Sequence, residues 1–334
     1  MRKLLAVAVA LLVLAPASVD AQKSRAERQR NVVISAQAID VFDAREPERT
    51  QFGSLTFRGG LVLTSTHKDF GGISALRLAA DGARFIAVTD KGNWLRARIV
   101  TRDNRPIAIA DAELAPILGA DGRPLNKRGW YDTESLAEDG GTLYVGIERV
   151  HQIVRFDFAK DGLRARGQPM AVPPGMKAMP SNAGLECLVM PSKGQPLAGT
   201  LIAISERSLD PQGNIIGFLI GNTPGTFSVK RTDEFDVTDC AVTPRGDLLL
   251  LERRFSWTRG VAMRIRRVPL TRVAPGAVLD GPELIFADMN HQIDNMEGIS
   301  VHRAANDALV LTLISDDNFS IIQRTVLLQF TLGE

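Results

Sequence analysis

One pattern recurs along this chain and narrows what it can fold into: an apolar run that ends in an acid. The fullest copy is LLLLERRF, Leu248 to Phe255. Its four leucines read as a strand buried on both faces. Relatives are FIAVTDK from Phe85, LYVGIER from Leu143, LIAISER from Leu201 and LVLTLISDD from Leu309, and in four of the five copies a base follows the acid at once. A shorter signature precedes each copy, reading acid, small residue, apolar residue. It appears as Glu134-Ser135-Leu136, Glu186-Cys187-Leu188, Asp239-Cys240-Ala241 and Glu297-Gly298-Ile299, while the first copy has Ile73 where the acid should be. Turn residues such as Asp81-Gly82, Asp139-Gly140-Gly141 and Arg245-Gly246 lie between the two signatures, and the third copy has the longer loop Pro191 to Gly199. Each unit is therefore a β-hairpin.

Further strand-like segments follow the hairpins at Val150 to Phe158, Asn214 to Ile220 and Ala262 to Pro269. The first acids step from 134 to 186, 239 and 297, spacings of 52, 53 and 58 residues. Strand patterns with a period near 50 predict an all-β chain folded as a single β-propeller of four-stranded antiparallel blades. No segment sustains a 3.6-residue period, so an α/β fold is excluded. The last repeat is too short for a whole blade, and the N-terminal strand Val32 to Phe42 can complete it and protect the sheet edges. The hairpin from Phe52 to Thr64 is then left over, as a degenerate sixth blade or an insertion, so the ring has five or six blades.

In a hairpin the start of one strand lies beside the end of its antiparallel neighbour. Both acids of each unit should sit at the same end of the propeller. Glu134, Glu186, Asp239 and Glu297 are expected nearest the channel as catalytic and metal-holding groups. Asp90, Glu148, Glu206, Glu252 and Asp316 are expected just outside as further metal ligands. Lys91, Arg149, Arg207 and Arg253 would interleave as substrate-binding bases. Crowded carboxylates must be neutralised by protons, cations or bases. Ca²⁺ accepts six to eight such oxygens, a bound divalent cation can polarise an ester and activate water, and guanidiniums suit a phosphate. The competing reading is that each Glu pairs with an Arg of its own or the next blade and pins the ring together.

Residues 1–21 read as a signal peptide, with a basic start at Arg2 and Lys3, an apolar run from Leu4 to Ala15 and a small-x-small site at Val19-Asp20-Ala21. Residues 22–30 form a polar, basic arm, and residues 31–334 the propeller. The mature chain is expected to be periplasmic or secreted, without a membrane span. The 334 residues are 45% hydrophobic and 23% charged with a net charge of +2, which falls to +1 without the leader. That balance gives no reason to expect nucleic acid as a partner; a monomer acting on a small anionic ester is expected.

No Gly-x-Ser-x-Gly elbow is present, and Ser135 reads as a small packing residue. His67, His151, His291 and His302 lack zinc spacing, although His151 and His291 flank charged loops. Cys187 and Cys240 hold equivalent positions in successive units, so they either form a disulfide or serve only as small residues. Trp130-Tyr131 lies just before Glu134, in the core or lining the mouth.

Phe70 to Leu76, Asn182 to Leu188, Leu248 to Phe255 and Asp294 to Ile299, in that order and spacing, resemble the phytase-like domain, also described as "esterase-like activity of phytase", over roughly Phe70 to Leu332. The resemblance implies a secreted β-propeller rich in Glu and Asp that cleaves esters, phosphate esters first. Propeller phytases use several Ca²⁺ ions at the channel mouth, and the acids named above are the positions that match. Ile73 breaks the inner ring, and the DGD-rich acidic loops of such phytases are missing. The expected function is a cation-assisted ester hydrolase; the alternatives are a non-catalytic binding platform at the cell envelope and a lactonase-like calcium propeller.

Overall fold

Four leucines in a row need apolar neighbours on both sides of their sheet, and the fold supplies them by stacking sheets around an axis. The computed structural model describes residues 30–181 and 183–333. The expected signal peptide, and the polar arm apart from Arg30, lie outside the described residues. Five sheets form five blades. Their inner strands are Ile73–Leu78, Thr133–Asp139, Leu185–Val189, Asp236–Val242 and Asn295–Arg303. Each inner strand packs on the inner strands of the two neighbouring blades, which closes the ring. The repeated apolar runs are the second strands, Arg84–Thr89, Thr142–Ile147, Thr200–Leu209, Asp247–Ser256 and Leu309–Asp316, each antiparallel to its inner strand.

The core divides into five clusters, one for each interface between blades. Leu249 and Leu251 face blade 5, whereas Leu248 and Leu250 face blade 3. All four are fully buried, each contributing about 1.5–3 kcal/mol relative to exposure.

The ring has five blades, not six, and the Phe52 to Thr64 hairpin is neither a further blade nor an insertion. Leu55–Thr64 pairs directly with the C-terminal strand Thr325–Leu332 as the fourth strand of blade 5. The segment expected to close that blade, Ser35–Ile39, lies one place further out, paired with Leu55–Thr64. Blades also exceed four strands. Blade 1 gains Arg30–Asn31, and blades 2 and 3 gain short parallel edge strands, Leu118–Gly119 and Val278–Leu279, from the connections of adjacent blades. Among the described residues only blade 4 has four strands. Among the described residues no helix is long and apolar enough to cross a membrane.

Candidate functional site

In every blade the ladder between the first two strands slips by one residue near the same end. The skipped residues are Ser74, Glu134, Glu186, Thr238 and Glu297. Such a bulge re-aims a side chain away from the sheet, and here three of the five are glutamates. Two residues beyond the partner that follows the slip, the second strand carries Asp90, Glu148, Glu206, Arg253 and Asp316 in turn. These positions surround a cavity of about 300 Å³ lined by eight carboxylates, Asp90, Asp132, Glu134, Glu148, Glu186, Glu206, Glu297 and Asp316, with Arg207 and Asn318.

Seven of the nine expected acids therefore come together. Asp239 and Glu252 do not, and both are corrected here. In blade 4 the slip falls at Thr238, so Thr238 and Arg253 hold the places that acids hold elsewhere. Glu252, one residue earlier, faces the other side of the sheet. There it is fully buried and accepts from Arg264 Nε at 2.8 Å and from Arg266 Nε and Nη2 at 2.6 Å. Asp239, one residue past the slip, lies below the mouth, where Arg77 of blade 1 reaches across to it with both terminal nitrogens, at 2.8 and 2.9 Å. Arg77 also donates to the carbonyl oxygens of Leu188 and Ile299, so one guanidinium joins blades 1, 3, 4 and 5. In blade 1 the position that faces the mouth is Ser74 rather than Ile73, and its hydroxyl donates to Asp90 Oδ1 at 2.6 Å.

The mouth carries far more negative than positive charge. Arg253 donates to Asn295 Oδ1 at 2.5 Å and to Glu206 Oε1 at 3.3 Å, and lies 3.7 Å from Glu297. Arg207 pairs with Glu206 and Asp236 at 3.3 and 3.6 Å. Among the described residues Glu134 and Glu186 have no ion-pair partner. Burial, followed by repulsion from neighbouring carboxylates, pushes both well above the usual carboxylate range. Burial with Glu297 and Asp90 nearby pushes Asp316 up to about 9. Glu297 is pushed up to about 7, burial outweighing the opposing Arg253, and Asp90 up to about 6, burial outweighing the Ser74 hydrogen bond. Among the described residues no three His, Cys, Asp or Glu side chains are arranged to cage a single ion as they stand. Yet the donors are hard oxygens, their charge is largely uncompensated, and they fit a Ca²⁺-like cation in kind.

Glycine permits one of these placements. Gly184 donates its N–H to Glu148 Oε1 at 3.1 Å, and a Cβ on it would stand 2.2 Å from Glu148 Cγ. The expected substrate-binding bases divide. Arg207 lines the mouth and Arg253 spans blades 3 to 5 beside it. Arg149 lies at the rim, donating to Asp132 Oδ2 at 2.8 Å and covering the Tyr131 ring. Lys91 lies in an adjoining cleft of about 1010 Å³ with Tyr131 and Asp132, its ammonium 3.2 Å from the Phe319 ring centroid. Asp132 and Asn318 were not foreseen. Asp132 stands two residues before Glu134, which was the available signal; Asn318 follows Asp316 in a loop that no pattern marks.

Other candidates have structural surroundings. Ser135 is buried and donates to the Leu185 carbonyl oxygen of the next blade. His291 packs on Phe42 and caps a loop, its Nδ1 accepting from the Asp288 N–H. Trp130 packs against the core between blades 1 and 2. Cys187 and Cys240 form a disulfide between blades 3 and 4, with Cα atoms 5.2 Å apart.

Comparison with known proteins adds a family match. The family model "Phytase-like: Esterase-like activity of phytase" matches residues 68–319. No curated protein matches the chain. Solved structures with a similar fold include an endo-arabinase from Bacteroides thetaiotaomicron, with 13% identity over 77% of this chain and 93% of that one, at a TM-score of 0.47. They also include an alpha-L-arabinofuranosidase from Podospora anserina, with 11% identity over 84% and 97%, at 0.47. A PQQ-bound aldose sugar dehydrogenase from Streptomyces coelicolor has 12% identity over 81% and 97%, at 0.42.

Proposed function

The chain belongs to the phytase-like family, "esterase-like activity of phytase", and from that premise we propose that it is a divalent-cation-dependent ester hydrolase acting at the acidic mouth, with phosphate esters as preferred substrates. The observation that carries this reading is the collection of eight carboxylates around one small cavity, several with raised proton affinity and without counter-charges. Charge gathered at such a cost is characteristic of functional sites. Glu134 and Glu186 would hold the cation, with Asp90, Glu148, Glu206 and Asp316 around them. A bound Ca²⁺ would supply Lewis acidity to the ester oxygen. Glu297, held by Asn295 Nδ2 at 2.7 Å and by Arg253, is the group best placed to take a proton from the attacking water and return it to the leaving oxygen. Arg207, half exposed at the rim, would contact the anionic group, and Lys91 would add a second positive charge from the cleft that meets the mouth at Asp90 and Asp132. The buried disulfide supports a site outside the cytoplasm.

The test is turnover of p-nitrophenyl phosphate, bis-p-nitrophenyl phosphate and p-nitrophenyl acetate by chelator-treated protein, with and without Ca²⁺. Ca²⁺-dependent cleavage of a phosphate ester is expected. It should fall about 100-fold or more in Glu297→Gln. The paired change Glu134→Gln with Glu186→Gln should raise the Ca²⁺ requirement about 10-fold or more. No turnover with any divalent cation would leave a non-catalytic platform as the better account, and hydrolysis of lactones alone would favour a lactonase.

A further inference from the structure

Blade 4 builds a wall beside the mouth that the proposed hydrolysis does not use. Its second and third strands, Asp247–Ser256 and Gly260–Pro269, are longer than the matching pair in blade 2, Thr142–Ile147 and Gln152–Asp157. Beyond Arg253 the strand runs on for three residues, roughly 10 Å at about 3.4 Å each. The hairpin tip is Trp257-Thr258-Arg259, closed by Gly260 at a φ of 70°. Trp257 is 94% exposed and Phe255 is 55% exposed, and their rings meet edge to face with centroids 5.2 Å apart. The tip is braced, because Arg259 donates to Glu234 at 3.1 Å and its N–H to the Ser256 carbonyl oxygen. A large aromatic ring thus stands in water at the tip of a hydrogen-bonded hairpin, in contact with Phe255.

It overlooks a cleft of about 580 Å³ that shares Glu206 and Arg207 with the mouth. The cleft's other charges are already matched. Arg231 donates to Asp236 at 2.8 Å, and Arg253 to Glu206 at 3.3 Å. Apart from Arg207, which the mouth shares, a free anion would find no uncommitted guanidinium here, and a hydrocarbon would strip water from ions without replacing its hydrogen bonds. A neutral ring with many hydroxyls satisfies both constraints. Its C–H face can lie on an aromatic wall, and its hydroxyls can donate to the carboxylates and accept from the guanidiniums. We infer that the cleft between the Phe255–Trp257 hairpin and Arg231 binds a neutral sugar ring, with Trp257 as its stacking platform.

Binding can be read without cation or turnover, so its failure and the failure of ester hydrolysis are separate results. Trp94 is fully buried, Trp130 is partly buried against the core between blades 1 and 2, and Trp257 lines the cleft, so a change in emission on binding there is assigned to Trp257 and should be absent from Trp257→Ala. Purified chelator-treated protein is titrated with the methyl β-glycosides of glucose, galactose and xylose, with sodium sulfate and cyclohexylmethanol as contrasts. A saturable emission change in the millimolar range is expected with at least one glycoside and with neither contrast. Saturation-transfer NMR should detect the same glycoside on the wild-type protein and lose it in Trp257→Ala. In Arg231→Gln, shown by circular dichroism to be folded, the affinity should fall about tenfold, or about 1.4 kcal/mol. The inference is overturned if no glycoside saturates the emission change, if only sulfate or cyclohexylmethanol binds, or if Trp257→Ala retains binding.

Discussion

Arg77 and Asp239 meet in the channel below the mouth, and their side chains are almost entirely removed from solvent. Burial raises the proton affinity of Asp239, opposed by Arg77 and by the Ile299 N–H. Removing one partner of such a pair leaves an uncompensated buried charge. Arg77→Met should destabilise the protein by about 3–5 kcal/mol, read from urea unfolding. The double variant with Asp239→Asn should lose less than the two single changes combined, because the two residues share one interaction. This pair also marks where sequence reading failed. Asp239 and Glu252 carry the repeated motif letter for letter, but a one-residue slip reverses the face on which a strand side chain lies. No short motif reveals that slip. Arg77 gave no signal either, being a single charge among apolar residues with partners more than a hundred positions away.

The hairpin is the unit that the sequence made legible. Apolar runs, turn residues and spacing located all five second strands and the third strands of blades 2 to 4. They also placed seven acids at one end, since antiparallel pairing alone determines which ends are adjacent. Much of the lining of the Lys91 cleft was not legible because it comes from connections such as His67 to Asp69 and Pro124 to Asp132, which obey no period. Two predictions belong here. The Cys187–Cys240 bond joins blades 3 and 4 across a separation of 53 residues. Replacing both cysteines with serine should cost about 2–5 kcal/mol, measured by chemical denaturation under oxidising conditions. Gly184→Ala should displace Glu148, because the added methyl would stand 2.2 Å from Glu148 Cγ, well inside contact distance. The expected result is weaker Ca²⁺ binding by calorimetry with the circular dichroism spectrum of the fold retained.

For the whole ring, the mouth carboxylates make stability depend on pH. Asp90, Glu297 and Asp316 are raised in the folded state, to about 6, about 7 and about 9. The folded chain therefore holds protons that the unfolded chain releases near pH 4. Stability contributed by those protons is fully present below that point and is lost as pH rises through the folded values. Without divalent cations, the melting temperature should fall steadily from pH 5 to pH 9, and saturating Ca²⁺ should flatten the decline. A melting temperature indifferent to both would mean that the carboxylates do not repel one another as their packing implies.

Blade 5 also sets the order in which the chain can become itself. Leu55–Thr64 leaves the ribosome long before Thr325–Leu332, its partner across the final seam. Until then the early strand has an unpaired edge, and the circle of blades has a gap that no other described strand fills. Such an edge invites pairing with a second nascent molecule. Holding the newborn chain extended until its last residues arrive would therefore protect it, and a version ending before Thr325 should aggregate rather than give a smaller soluble barrel.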